Sequence, residues 1–232
     1  MKEIDFKQDP VSYQSKPRYK DYYLFAYDIF EKQKIKSVLD LGTASADFLF
    51  FLPNHINGTG MDKSEQLIKL AKQTRQKPNL SFIIKDFVKD DIDLKINQNL
   101  NYDAITIFGT MVTINDYKKI LTKVVNLKPK FIIINDFYNL SDVDTVIGYK
   151  KNGSDESVYN FAYNIKSKKT ILSILESFKF KNFHFDNYHM KTKLPKSSDC
   201  IRNYHETLSD GETILTNGLG LILRGYNLVI EL

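Results

Sequence analysis

The sequence predicts an α/β fold built on a mostly parallel sheet with crossover helices, and three observations carry that expectation. Strand-like and helix-like segments alternate from residue 34 to Asp136, the rhythm that a parallel sheet with helical crossovers requires. The run Ser37-Val38-Leu39-Asp40-Leu41 suits a strand buried on both faces; it turns at Gly42 and enters the apolar segment Phe48 to Leu52, read as a helix. About 20 residues beyond that turn, Gly60-Met61-Asp62 ends a second strand in a carboxylate. Such a unit reads as a nucleoside-cofactor site: the turn lets backbone approach a ligand, and Asp62 is placed to accept both ribose hydroxyl protons.

The elements follow in order. Residues 1–16 are polar and contain proline, as a loosely held arm would be. Over 17–33, Tyr19, Tyr22, Tyr23, Phe25, Ala26, Tyr27 and Phe30 fall near helical spacing, so an aromatic cap helix is expected there. The division is therefore 1–33, arm and cap helix, and 34–232, one α/β domain. After Asp62, Ser64 and Glu65 open a helix with apolar positions Leu67, Ile68, Leu70 and Ala71. Leu80 to Asp86, Tyr102 to Gly109 and Pro129 to Asp136 read as further strands. The rhythm then breaks: 137–157 is longer than an ordinary connection. Val158 to Ile165 reads as a strand, Thr170 to Phe178 as a helix, Lys181 to Tyr188 as a strand and Leu219 to Ile230 as the last strand. Leu194 to Asn217 connects those two, with Asp210-Gly211 as a turn.

The identity of the nucleoside ligand turns on the glycine pattern. A dinucleotide fingerprint places Gly at the first, third and sixth turn positions, occupied here by Gly42, Ala44 and Asp47. Asp47 suits a helix N-terminus but repels a pyrophosphate, so the ligand expected carries no phosphate there. With Asp40, Gly42, Ala44 and Ala46 on the matching positions, the segment resembles the first motif of class I S-adenosylmethionine-dependent methyltransferases. Ala replaces Gly twice, an exchange tolerated where φ stays negative, so these departures bear on cofactor affinity more than on fold. Gly60-Met61-Asp62-Lys63-Ser64-Glu65 resembles the second motif, Leu80 to Phe87 the third, Tyr102 to Gly109 the fourth and Pro129 to Asp136 the fifth strand.

That resemblance spans roughly residues 34–232 and implies a Rossmann-like seven-stranded, mostly parallel sheet with an antiparallel C-terminal strand and helices on both faces. It implies S-adenosylmethionine as cofactor, S-adenosylhomocysteine as product, and cofactor contacts from Asp40, Gly42, Thr43, Ala44, Asp62, Lys63, Asp86, Phe87, Phe108 and Gly109. Asp86 would meet the adenine amino group. A weaker similarity to tailoring methyltransferases of bacterial surface polysaccharide and small-molecule pathways accompanies it.

Composition narrows the classes. With 232 residues, 42% hydrophobic and 26% charged, the chain can bury a full core. No apolar run of about 20 residues is present, so membrane insertion is not expected. The charged N-terminus lacks a signal-peptide centre and Cys200 stands alone, so a cytoplasmic setting is expected. No Cys and His cluster has ligand spacing, and no metal is expected. The net charge of +5 invites a nucleic-acid reading, but Lys and Arg are scattered among Asp and Glu, so no nucleic-acid partner is expected.

Methyl transfer is an in-line displacement that demands alignment of nucleophile and methyl group. A hydroxyl acceptor also needs a base. By the resemblance the acceptor sits beyond the fourth and fifth strands, where Asp136 is the first candidate base and His205 the second. Asp136 has the alternative role of holding a turn, and His205 that of an ordinary loop histidine. Tyr13, Tyr19, Tyr23, Thr110, Tyr138, Asn139, His189 and Arg202 are the candidate acceptor-binding residues.

Other acceptor classes lack their marks. Phe108-Gly109-Thr110-Met111 is not the Asp/Asn-Pro-Pro-aromatic motif of amino-methylating DNA enzymes. Cys200 is misplaced for RNA cytosine enzymes, and Gly109 offers no ligand for a catechol-type metal. A small-molecule acceptor methylated on oxygen remains: a sugar, nucleotide-linked or phosphorylated precursor in surface polysaccharide biosynthesis. Alternatives are a non-catalytic S-adenosylmethionine-binding regulatory domain and an RNA methyltransferase.

Overall fold

The computed structural model describes residues 20–92, 101–150, 153, 161–188, 193–196, 203–217 and 225–232. Helix α1 (Lys20–Gln33) precedes β1 (Ser37–Leu41), α2 (Asp47–Phe51), β2 (Asn57–Asp62), α3 (Glu65–Thr74) and β3 (Leu80–Ile84). Next come β4 (Ala104–Phe108), a 3-10 turn at Met111–Thr113, α4 (Tyr117–Asn126) and β5 (Phe131–Phe137). The chain continues through β6 (Thr145–Tyr149), β7 (Phe161–Ile165), α5 (Lys168–Glu176) and β8 (Asn182–Tyr188). It ends with β9 (Asn203–Thr207), β10 (Thr213–Asn217) and β11 (Gly225–Glu231).

Seven strands form one sheet in the order β3-β2-β1-β4-β5-β11-β8. The first five are parallel, and β11 runs antiparallel to both β5 and β8. The expected architecture, including the antiparallel C-terminal strand, is the one observed. Alternation along the buried strands sends residues to two cores. Leu39, Leu41, Ile105, Ile107, Ile132 and Ile134 pack with α4 and α5, whereas Val38, Ala104, Phe131 and Ile133 pack with α1, α2 and Ala71 of α3. Helices thus cover both faces.

Local chemistry fixes the helix starts. Ser64, Asp116 and Ser167 are N-caps whose side chains accept from the amides of Leu67, Lys119 and Thr170. Each cap precedes an apolar stripe, such as Tyr117, Ile120, Leu121 and Val124 in α4.

Several boundaries differ from expectation. The 137–157 connection contains β6, paired antiparallel with β7, and the 194–217 interval contains the β9–β10 hairpin; two-stranded ribbons with mixed polarity give a weak periodic signal. Strand β7 begins at Phe161 and β11 at Gly225, with 154–160 and 218–224 outside the described residues. Helix α5 starts at Lys168, two positions before the expected Thr170, because Ser167 caps it. The 17–19 segment of the expected cap helix also lies outside the described residues.

Both ribbons leave the sheet at one edge. Strand β5 ends at Phe137, the chain runs through β6 and β7, and Asn139 meets Ser167 in an isolated bridge before α5 turns back. Strand β8, parallel to β5 through β11, ends at Tyr188 beside Gly225, so β9 and β10 also hang from the carboxyl ends of the strands. In open α/β sheets ligands bind beyond that edge.

Candidate active site

Five strand ends and the turns after them build the candidate site. The turn after β1 is pinned to β2: Gly42 and Thr43 donate to the Met61 carbonyl at 2.8 and 3.1 Å, and Ala44 donates to Asp62 Oδ2 at 2.9 Å. Asp62 Oδ1 accepts from the Ser64 amide at 2.8 Å, so this one carboxylate ties the glycine turn to the start of α3. Burial pushes the Asp62 carboxyl up from its ordinary value, against the two amides, which favour the ion.

Asp40 lies buried inside β1, with Oδ1 accepting from Thr106 Oγ1 of β4 at 2.6 Å. Burial raises its carboxyl to about 6, opposed by that hydroxyl. Its role in the structure is to lock neighbouring strands beneath the turn.

The turn itself departs from expectation. Gly42 has φ 77°, and Ala44 and Ala46 have φ 49° and 61°, so both alanines adopt the left-handed conformation that was expected only of glycine. Each costs about 1–2 kcal/mol relative to a right-handed residue. Asp47 does not cap α2 either; Ala46 occupies the cap without a side-chain bond, and Asp47 is the first helical residue. Its charge is paired with Arg75, whose Nη2 lies 2.5 Å from Oδ1. The exclusion of a phosphate ligand therefore cannot rest on a bare Asp47.

A Cβ on Gly42 would lie 2.3 Å from Thr110 Oγ1. The close approach that requires glycine at this point is made by the chain itself, with Thr110 packed on the turn. Gly42→Ala should lose at least about 2 kcal/mol of stability, through both left-handed strain and overpacking. Thermal unfolding checks this: adding Thr110→Ala should recover the steric part and leave the conformational part.

Asp86 follows β3 and holds its own turn, Oδ1 accepting from the amides of Val88 and Lys89 at 3.0 and 3.4 Å. Phe87 is buried, and Lys63 is exposed after β2. Lys123 of α4 donates to the carbonyls of Phe87, Val88 and Asp90, fixing that turn from 36, 35 and 33 positions away. Nothing local in the sequence marks Lys123 for this task.

After β4, Gly109 has φ 61° with open space where a Cβ would stand, and its amide donates to the Asn135 carbonyl at 2.8 Å. Phe108 stacks edge-on with Tyr22 and Phe48 at 5.0 and 4.9 Å, so α1 and α2 meet at the strand end. Tyr23 belongs to the same ring cluster, packed on Phe48 and Phe51. In the described residues α1 is a packing helix.

Asp136 is 2% exposed near the end of β5. Its Oδ2 accepts from the Val112 amide at 2.8 Å and its Oδ1 from the Phe137 amide at 2.9 Å, so it anchors the 3-10 turn to the sheet. Burial raises its carboxyl to about 7, with the amides opposing. Tyr138 and Tyr117 share a 2.7 Å hydroxyl bond nearby, and burial raises both phenols, so both stay protonated. Asn139 braces the next turn, donating to the Val143 carbonyl and accepting from the Ser141 amide.

His205 lies on β9, where its Nδ1 accepts from the Leu194 amide at 2.9 Å. The neutral ring then carries its proton on Nε2 and has no second lone pair. Partial burial lowers its basicity. This geometry has His205 bracing the segment at Leu194. Tyr13, Tyr19, His189 and Arg202 lie outside the described residues. Among the described residues no group of three His, Cys, Asp or Glu is placed to hold a metal ion, and no helix is long and apolar enough to cross a membrane.

A methyltransferase domain family model matches residues 32–179, more than half of the chain. The chain belongs to this methyltransferase family. No curated protein matches the sequence. Among solved structures, the N-terminal domain of EvdMO1 with S-adenosylhomocysteine and D-fucose is 12% identical, with TM-score 0.57 over 91% of this chain and 83% of that one. The methyltransferase domain of bacterial CtHen1 is 13% identical, with TM-score 0.55 over 92% and 97%. A methyltransferase from Methanosarcina mazei is 13% identical, with TM-score 0.54 over 89% and 98%. The protein is an S-adenosylmethionine-dependent methyltransferase.

The site of this methyltransferase fits that cofactor. Asp62 accepts one amide on each oxygen, which leaves each a lone pair for a ribose hydroxyl, and the open flank at Gly109 leaves room beside the turn.

Proposed function

We propose that this methyltransferase acts on oxygen of a small hydroxyl-rich acceptor, a sugar, nucleotide-linked or phosphorylated glycan precursor in surface polysaccharide biosynthesis. The observation that carries the reading is the pair of ribbons at the carboxyl edge and the uncharged polar groups they bury. Asn164 of β7 donates to Asn115 at 2.8 Å, tying that ribbon to the segment after the 3-10 turn. Thr216 and Asn217 of β10 are buried as well. Amides and hydroxyls of this kind suit neutral polyhydroxyl groups more than a nucleic-acid backbone, which demands cations. The sugar present with EvdMO1, a protein of like fold, agrees with this reading.

S-adenosylmethionine supplies an activated methyl group on a positive sulfur. In this proposal Asp62 holds the ribose hydroxyls and Lys63 flanks them, Asp86 and Phe87 border the adenine, and Gly42, Thr43, Ala44, Phe108 and Gly109, above Asp40, border the remainder. Asp136 takes the acceptor's proton, and Thr110, Tyr138 and Asn139 line the acceptor side. Radiolabelled methyl transfer should appear with free or nucleotide-linked sugars, and the label should survive alkali, as a methyl ether does. Labelling of RNA alone, under the same conditions, would replace this reading.

A further inference from the structure

The turn between β1 and α2 holds two alanines where glycine would be at ease, and α2 itself is only five residues long. Something outside the turn must hold it. Residues 75–77, which follow α3, grip α2 at both ends. At its start, Asp47 Oδ1 accepts from Arg75 Nε at 2.9 Å and from Nη2, while Oδ2 accepts from Ser45 Oγ at 3.0 Å. Ser45 lies between the two alanines, so the carboxylate joins the turn to the guanidinium. At the far end, Lys77 Nζ donates to the carbonyls of Phe50 and Leu52 at 2.6 and 2.7 Å. The Phe50 ring lies under both cations, 5.3 Å from Arg75 Cζ and 4.9 Å from Lys77 Nζ. The Arg75 and Asp47 side chains are 14% and 23% exposed, so water screens the pair weakly.

We propose that Arg75 is a positioning residue for the cofactor: its grip on Asp47 holds the 42–46 turn in the left-handed conformations that glycines would adopt unaided. The turn then keeps its backbone on the path that S-adenosylmethionine needs beside it, although Arg75 reaches the turn only through Asp47. This inference rests on the family's cofactor and not on any acceptor. It also accounts for the two alanines, since a turn held from outside can carry a Cβ at positive φ. Arg75 stands 28 positions from Asp47, beyond the reach of any local pattern.

Titration calorimetry with S-adenosylhomocysteine tests it through coupling. Arg75→Met should weaken binding about tenfold in the natural turn, and at most about threefold when the turn carries Ala44→Gly and Ala46→Gly. Arg75→Lys, which keeps the charge and loses the fork, should fall between wild type and Arg75→Met. Thermal unfolding of each protein identifies loss by general destabilisation: that loss would persist in the glycine background, whereas loss by turn relaxation would not. Equal losses in the two backgrounds, or none in the natural turn, would overturn the proposal. A wild-type protein that fails to bind S-adenosylhomocysteine would overturn the cofactor assignment and this inference with it.

Discussion

Asp136→Asn should reduce methyl transfer by about 10²- to 10⁴-fold, the usual range for loss of a general base, with S-adenosylhomocysteine affinity changed little. Asp136 is the carboxylate near the end of β5, and burial has brought it to about 7, where a base is both ionised and able to hold a proton. Wild-type activity should therefore rise through about pH 7 as the carboxyl ionises. The variant should lack that limb. An active variant with the wild-type pH profile would leave Asp136 as a turn anchor alone.

The anchoring role must be separated in the same experiment. Both oxygens accept backbone amides, from Val112 and Phe137. Asparagine keeps one acceptor oxygen and turns its amide group toward a second N–H donor, so some loosening of the 3-10 turn accompanies the loss of charge. Linkage distinguishes the effects. A carboxyl raised to about 7 in the folded state contributes stability that is full below its unfolded pKa, about 3.9, and is lost as pH rises through 7. Asp136→Asn should flatten the stability profile between those values. A uniform downward shift across pH would report turn damage only.

How much of this was legible in the sequence depends on the range of the interaction. The turn after β1, the carboxylate at Asp62 and the order of the central strands are local patterns: apolar runs, a glycine and a spacing of about 20 residues. They were visible because strands buried on both faces need continuous apolar residues. The contacts that hold the site are long-range and polar. Arg75 with Asp47, Lys123 with the turn after β3, and Asn164 with Asn115 join residues 28 or more positions apart, and each alone reads as an ordinary surface residue. The alanine conformations were misread for a related reason. An Ala-for-Gly exchange looks mild until φ is known, and here both alanines stand at positive φ. His205 shows the converse: its residue type suggested a base, and only its Nδ1 partner reveals that the lone pair is engaged.

Asp62→Ala should weaken S-adenosylhomocysteine binding by about 1.5–3 kcal/mol, the range for charge-assisted hydrogen bonds. That is roughly 10- to 150-fold in affinity. The loss has two sources in this geometry. Each carboxylate oxygen carries one backbone amide, from Ala44 or Ser64, and offers its remaining lone pair outward. Removing the carboxylate therefore frees the turn as well as the ribose. Calorimetry with a second ligand separates the two: wild type should discriminate against S-adenosylhomocysteine lacking its ribose hydroxyls, and Asp62→Ala should bind both forms alike. Turn loosening alone would weaken both ligands equally and leave the discrimination intact. Asp62→Asn, with one acceptor oxygen remaining, should lie between. If wild type and Asp62→Ala bound S-adenosylhomocysteine with the same affinity, Asp62 would have no part in holding the ribose, and the cofactor would have to be oriented by the shape of the turn and the segment after β3.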